Sequence, residues 1–329
     1  MRAPDFWRHD GPAARLLSPL GQVYHLAGAL RRSLVTPWQA PVPVICVGNL
    51  VAGGAGKTPV ALALLDLLKE HGVTPAALTR GYGGAAAGPL RVVPGEHDAS
   101  TVGDEALLLA AAAPTWVARD RVAGAKAAIE GGAEVIVMDD GFQNPALKKD
   151  LALLVIDAGY GLGNRRVMPA GPLREMAASG FARADAVVLV GDSYIGETEK
   201  NLIGGLPLLK ARLQPRDTSL SGRRVFAFAG IGRPEKFFET LRGLGAELAG
   251  TESFADHQPY TAAALARLRG AADAAGAGLV TTAKDAARLG PALTPDIAVL
   301  DVILAWEDKD AVLRLLRRLP LPFVETPAR

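Results

Sequence analysis

The sequence predicts an α/β fold: a mostly parallel sheet with helices on both faces, followed by a smaller C-terminal α/β domain. Three observations carry this reading. Short apolar runs alternate with helical stretches up to about residue 190, a strand–glycine loop–helix unit opens that series, and strand-then-helix order resumes at residue 224.

The predicted strands are 42–47, 74–79, 115–118, 134–139, 151–157 and 184–190. Each is apolar on both faces, as strands of a sheet buried on both sides should be. The helical stretches 58–70, 103–112 and 120–130 lie between them, which gives right-handed crossovers. Beyond residue 192 the periodicity blurs. One further strand fits "LPLLKARLQP", but the segment 206–223 is read as a hinge between a domain at 1–205 and a smaller one at 224–329. The second domain is built from "RVFAFAGIGRPEKFFETLRGLG", "GLVTTAKDAARL" and "IAVLDVILAW".

In the N-terminal stretch, about 10–35, Leu16, Leu20, Val23, Ala27, Leu30 and Leu34 recur at helical spacing, with Arg15, Arg31 and Arg32 among them. The pattern suits an amphipathic helix docked on the core, the commoner arrangement, or a helix lying on an anionic membrane surface. Pro19, Gly21 and Gly28 disfavour a regular helix.

Composition bounds the rest. The 329 residues carry a net charge of +2, which gives no reason to expect bulk nucleic-acid binding. The one cysteine, Cys46, lies in an apolar run, so no intramolecular disulfide forms and a reducing compartment fits. No run reaches the roughly 18 apolar residues of a spanning helix, and the start lacks the apolar core of a secretion signal. The chain is therefore expected to be neither spanning nor exported.

The stretch "VICVGNLVAGGAGKTP" carries the chemistry. Gly53, Gly54, Ala55 and Gly56 let the backbone wrap a phosphate with its N–H groups inward. Lys57 reaches the β- and γ-phosphates and the Thr58 hydroxyl serves Mg²⁺. This is a P-loop, with Val51 where the usual pattern has its first glycine. A P-loop enzyme also needs a carboxylate near the metal. "EVIVMDDGFQN" offers Asp139 and Asp140 at the end of a buried strand, the edge where open α/β sheets bind ligands.

"VGDEALLL" places Asp104 and Glu105 at a helix start. They serve either the helix dipole, the commoner role, or a general base for a hydroxyl acceptor. Arg80 in "RGYGG" and Arg174 and Glu175 in "PAGPLRE" follow glycine-bearing loops, and His257 in "FADHQPY" is the only histidine of the second half.

Taken together, "VGNLVAGGAGKTP", "TRGYGG", "VGDEALLL", "MDDGFQN", "MPAGPLRE", "FADHQPY" and "TTAKDAARL" resemble the tetraacyldisaccharide 4′-kinase family, in that family's order and over residues 5–320. The resemblance implies transfer of the γ-phosphoryl group of ATP to the 4′-hydroxyl of an acylated disaccharide lipid, forming lipid IVA in lipid A biosynthesis. It also implies a P-loop domain hinged to a smaller domain with the site between them, and a peripheral protein at the cytoplasmic face of the inner membrane. No obligate protein partner is implied. Asp104 matches the family's base and His257 its partner. Lys57, Thr58, Asp139, Asp140 and Glu105 match the phosphate and metal positions, and Asn49, Gln143, Arg174, Glu175 and Arg80 match supporting ones.

Three positions depart from the family pattern: Asn144 in place of His, Ala106 in place of Pro, and Gln258 in place of an aromatic or His. The competing reading is a P-loop GTPase or metallochaperone-type switch. The nearest approach to a guanine-selecting N-K-x-D is "TAKD", which lacks the Asn, and this counts against it.

Overall fold

The structure is a computed structural model that describes residues 4–192, 196–290 and 295–323. After a short 3₁₀ turn at Asp5–Arg8 come α1 (Pro12–Ser33), β1 (Val44–Gly48), α2 (Lys57–Glu70), β2 (Pro75–Thr79), β3 (Leu90–Arg91), α3 (Ala99–Val102), α4 (Asp104–Ala112), β4 (Thr115–Val117) and α5 (Arg121–Glu130). Next are β5 (Val135–Asp139), β6 (Leu151–Asp157), α6 (Ala177–Phe181), β7 (Ala186–Val190), α7 (Glu197–Ile203) and β8 (Leu208–Pro215). The chain continues with β9 (Arg224–Ala229), α8 (Pro234–Gly243), β10 (Glu247–Ser253), α9 (Ala262–Ala274), β11 (Gly278–Thr282), α10 (Ala283–Leu289), β12 (Ile297–Leu300), β13 (Val302–Trp306) and α11 (Lys309–Leu316).

The large sheet runs β13-β8-β7-β6-β1-β5-β2-β4-β3. It is parallel except where β13 meets β8 and β3 meets β4. Alternate residues of each strand face opposite layers. Ile45, Val47, Val137 and Leu153 pack with Leu64, Leu65 and Leu68 of α2. Val44, Cys46, Met138 and Leu154 pack with Ala125 and Ala128 of α5. This two-sided burial is what the apolar runs predict. Cys46 is fully buried, and burial pushes its thiol up to about 12, so it behaves as a small hydrophobe. The small sheet, β10-β9-β11-β12, is wholly parallel. Phe237, Phe238 and Leu241 of α8 cover one face, and Leu265 and Leu268 of α9 the other.

The boundaries differ from those expected. The segment 206–223 is not a plain linker, because β8 within it pairs with β7 and extends the large sheet. The weak signal comes from burial on one face: only Leu209 and Ala211 are buried, and the alternate positions Leu208, Lys210 and Arg212 are exposed. "IAVLDVILAW" is two strands divided at Asp301, β12 in the small sheet and β13 back in the large one. Val312, Leu315 and Leu316 of α11 then join the core around α2. The small domain therefore ends near residue 301, and the chain passes between the sheets twice. Residues 291–294 and 324–329 of the expected second domain lie outside the described residues.

Helix α1 is continuous through Pro19. At Gly21 it touches the backbone of Val167, whose carbonyl oxygen would lie 2.7 Å from an added Cβ, so glycine permits the approach. Arg166 holds Asp10 at 2.6 Å and Arg32 reaches Glu175 at 3.4 Å. Only Ala14 and Gly21 of α1 are buried. Among the described residues no helix is long and apolar enough to cross a membrane.

Candidate active site

The loop between β1 and α2 lies at the C-terminal edge of the central strand. Gly53 (φ +118°) and Gly56 (φ +86°) occupy left-handed backbone that a side chain would strain. Val51 takes the place of the first glycine without strain, because it is bridged in antiparallel fashion to Leu173. Asn49, fully buried, braces the loop from below: its Nδ2 donates to the carbonyls of Val51 at 2.7 Å and Gly53 at 3.4 Å. Gln143 donates in turn to the Asn49 carbonyl at 3.0 Å.

Parallel pairing of β1 with β5 sets Asp139 beside Val47, next to the root of the loop. Thr58 Oγ1 donates to Asp139 Oδ2 at 2.9 Å, while Asp139 Oδ1 is buried with no hydrogen-bond partner. Burial, followed by the charge of Glu105, pushes Asp139 upward. Lys57 and the hydroxyl of Thr58 only partly offset this. Asp140 behaves differently. Burial pushes it up, but Lys57 and Arg174 outweigh burial and hold it below its ordinary value. Arg174 grips both its oxygens, at 2.8 and 3.2 Å, and Lys57 Nζ lies 3.8 Å away. Asp140, expected beside the metal, is thus an anion shared by two cations, and its neighbour Asp139 is the carboxylate with a free oxygen.

The second half of the site comes from the other domain. His257 Nδ1 lies 3.1 Å from Asp104 Oδ2, although 153 residues separate the two. Lys284 Nζ approaches His257 Nε2 at 3.3 Å. An ammonium can only donate, so Nε2 accepts and the ring proton sits on Nδ1, facing Asp104. Lys284 also donates to Glu105 at 3.1 Å. Asp104 is no simple helix cap: its Oδ1 accepts the Glu105 N–H at 2.8 Å, and its Oδ2 takes His257 and Arg288. Burial pushes Asp104 up, but the His257 hydrogen bond, Lys284 and Arg288 hold it far below the usual carboxylate range.

A cleft of about 690 Å³ between the domains is lined by Gly53, Lys57, Glu105, Asp140, Arg174 and His257. Two expected supporting residues do not line the cleft. Glu175 is 1% exposed and does not line the cleft: it accepts from Gln143 at 3.2 Å behind the loop, and Arg183 at 2.8 Å and Arg32 of α1 at 3.4 Å neutralise it. Arg80 is exposed beyond β2, and among the described residues no hydrogen bond or ion pair holds its side chain. Its charge, after burial, helps push Arg121 down to about 10. Of the departures, Asn144 accepts from the backbone N–H of Ala146 at 3.0 Å and so serves the turn, and Ala106 is simply buried in α4.

Lys284 and Arg288 escape the sequence reading. Both lie in "TTAKDAARL", and their i,i+4 spacing on α10 puts two cations on one helix face. That signal points to an acidic partner without saying which one.

A glycine loop at the central strand, a threonine–aspartate pair beside it and an Asp–His pair across the cleft define a P-loop phosphotransferase. A family model described as tetraacyldisaccharide-1-P 4′-kinase matches residues 13–320, and the chain belongs to that family. It is a kinase that transfers phosphate to a hydroxyl. It is 54% identical over 324 residues to the tetraacyldisaccharide 4′-kinase of Rhodospirillum centenum, covering 96% of each chain. It is 53% identical over 323 residues to that of Paramagnetospirillum magneticum, covering 97% of this chain and 99% of the relative. A crystal structure of the "apo" form of LpxK from Aquifex aeolicus in complex with ATP superposes with a TM-score of 0.74 at 28% identity, covering 93% of this chain and 98% of that one.

Proposed function

We propose that this kinase transfers the γ-phosphoryl group of ATP to the 4′-hydroxyl of tetraacyldisaccharide 1-phosphate, giving lipid IVA, at the cytoplasmic face of the inner membrane. The observation that carries the reading is the Asp104–His257 pair, made across two domains beside the cleft that receives Lys57. The names of the relatives support the lipid acceptor, and the Aquifex complex supports ATP.

The loop N–H groups and Lys57 cradle the donor phosphates, and the lysine charge stabilises the transferring group. Asp104, kept anionic, accepts the hydrogen bond of the attacking hydroxyl and orients it. The hydroxyl proton passes to Asp104, and His257, whose Nδ1–H donates to the same carboxylate, orients it. Arg174 and Lys57 keep Asp140 charged and in place at the floor of the cleft.

The residues fit a magnesium ion. Thr58 offers a hydroxyl, Asp139 an unpartnered buried oxygen, and Glu105 a carboxylate whose charge Asp139 already senses. Among the described residues no three His, Cys, Asp or Glu form a closed cage. This suits an ion that keeps water and phosphate oxygens as ligands. When bound, the ion supplies neutralisation of the phosphate charge.

Helix α1 gives the enzyme its route to a lipid. Leu16 is 81% exposed, Leu34 75% and Leu30 60%, with Val23 and Leu26 beside them. An apolar patch of this kind, flanked by Arg15 and Arg31, fits the interfacial layer of an anionic bilayer. The two crossings between the sheets, at 215–224 and 300–302, are the hinge about which the small domain closes. Phosphorus NMR of the lipid product is the test. A second phosphomonoester at the 4′ carbon is expected, and release of inorganic phosphate with unaltered lipid would overturn the reading.

A further inference from the structure

Arg288 lies on α10 of the small domain, and its side chain is only 8% exposed. Its Nη2 and Nε both donate to Asp104 Oδ2, at 2.7 and 3.1 Å. Its Nη1 is spent within its own domain, on the carbonyls of Gly230 at 3.1 Å and Gln258 at 3.3 Å and on Asp285 Oδ1 at 3.2 Å. Asp285 is itself fully buried and fixed: the Tyr260 hydroxyl donates to it at 2.8 Å, Thr282 at 2.7 Å and the Gly230 N–H at 3.1 Å. The guanidinium thus sits in a rigid cradle with one edge directed at the large domain. A planar fork held on both sides fixes a carboxylate more tightly than a point charge can.

From this geometry we infer that Arg288 is a positioning residue for phosphoryl transfer, which orients the Asp104 carboxylate from the opposite domain so that the base is complete only when the two domains meet. The inference rests on the role proposed above for Asp104. Neither His257 nor the backbone of α4 can replace the fork. His257 contributes one N–H to Oδ2, and the Glu105 N–H holds only Oδ1. Without Arg288 the carboxylate keeps two of its four hydrogen bonds and gains freedom to turn. A displacement of about 1 Å at a reacting group costs on the order of a hundredfold in rate.

The test is a mutant cycle in the full chain, with ATP and tetraacyldisaccharide 1-phosphate in detergent micelles. Arg288→Met is expected to lower kcat about a hundredfold, with the KM for ATP nearly unchanged because the P-loop is untouched. Arg288→Lys is expected to recover part of the loss. The double variant Asp104→Ala/Arg288→Met is expected to be no slower than Asp104→Ala alone, since a residue that acts through Asp104 has nothing left to orient. Wild-type kcat in Arg288→Met would overturn the inference, as would losses that multiply in the double variant, or a loss that falls on the KM for ATP. ATP affinity checks that each variant is folded, and should Arg288→Met fail to fold, the same cycle run with Arg288→Lys decides by the same criteria. Absence of labelled lipid from the wild type would instead sink the proposed function itself and leave Arg288 out of the question.

Discussion

Thr58 and Asp139 are joined by a hydrogen bond of 2.9 Å that ties the first turn of the helix after the phosphate loop to the end of the neighbouring strand. Only one oxygen of Asp139 is used, and the other is buried without a partner. A buried carboxylate oxygen left without a partner costs stability.

This gives a pH prediction. Burial and Glu105 raise Asp139 to about 7, above the unfolded value near 4. Between those values the folded chain holds a proton that the unfolded chain has lost, so this group makes stability fall as pH rises through that window. Asp139→Asn keeps the Thr58 bond and removes the titration. Without magnesium or nucleotide, it should melt higher than wild type at pH 8, with the difference vanishing near pH 4. Calorimetry at both pH values measures this, and equal melting at pH 8 would remove the case for a strained Asp139.

Asp104→Ala should lower kcat by about a hundredfold to ten-thousandfold and leave the ATP KM within a few-fold, because Asp104 does not line the phosphate loop. Initial rates with varied ATP separate the two constants. Near-normal turnover would end the assignment of Asp104 as base.

The apolar face of α1 can be tested without removing the helix. Deleting residues 1–35 would strip Arg32 from Glu175 and Asp10 from Arg166, so it would injure the core as well as the surface. Leu16→Glu, Leu30→Glu and Leu34→Glu change exposed side chains alone. Together they should abolish co-sedimentation with anionic phosphatidylglycerol vesicles while the melting temperature stays put. Unchanged sedimentation would mean that α1 is not the docking face.

Most of the large sheet was legible because its central strands are buried on both faces, and six apolar runs announce six of its strands. The last two were less so. Leu208–Pro215 fits a strand but alternates with charged residues inside a segment that reads as a hinge, and Val302–Trp306 follows β12 with no turn signal to show that the chain changes sheet. In the site, the loop and the paired aspartates were legible as local motifs. The different fates of Asp139 and Asp140 were not, since they depend on Thr58 and Arg174, 81 and 34 residues away. Arg288 was hidden for the same reason: its partner is 184 residues distant. Glu175 matches a supporting position of the family, and the chain turns between it and Arg174, so that Arg174 reaches the cleft while Glu175 accepts from Gln143 behind the loop and holds Arg32 of α1.

The central claim is that the loop at Lys57 holds ATP during transfer to a lipid hydroxyl. The most direct measurement supplies γ-labelled ATP, Mg²⁺ and tetraacyldisaccharide 1-phosphate in detergent micelles to the wild type and to Lys57→Ala. The account predicts label in the lipid for the wild type, and a rate at least about a hundredfold lower for the variant, since a charge aimed at the transition state is lost. Label released only as free phosphate, or equal transfer by both proteins, would contradict it.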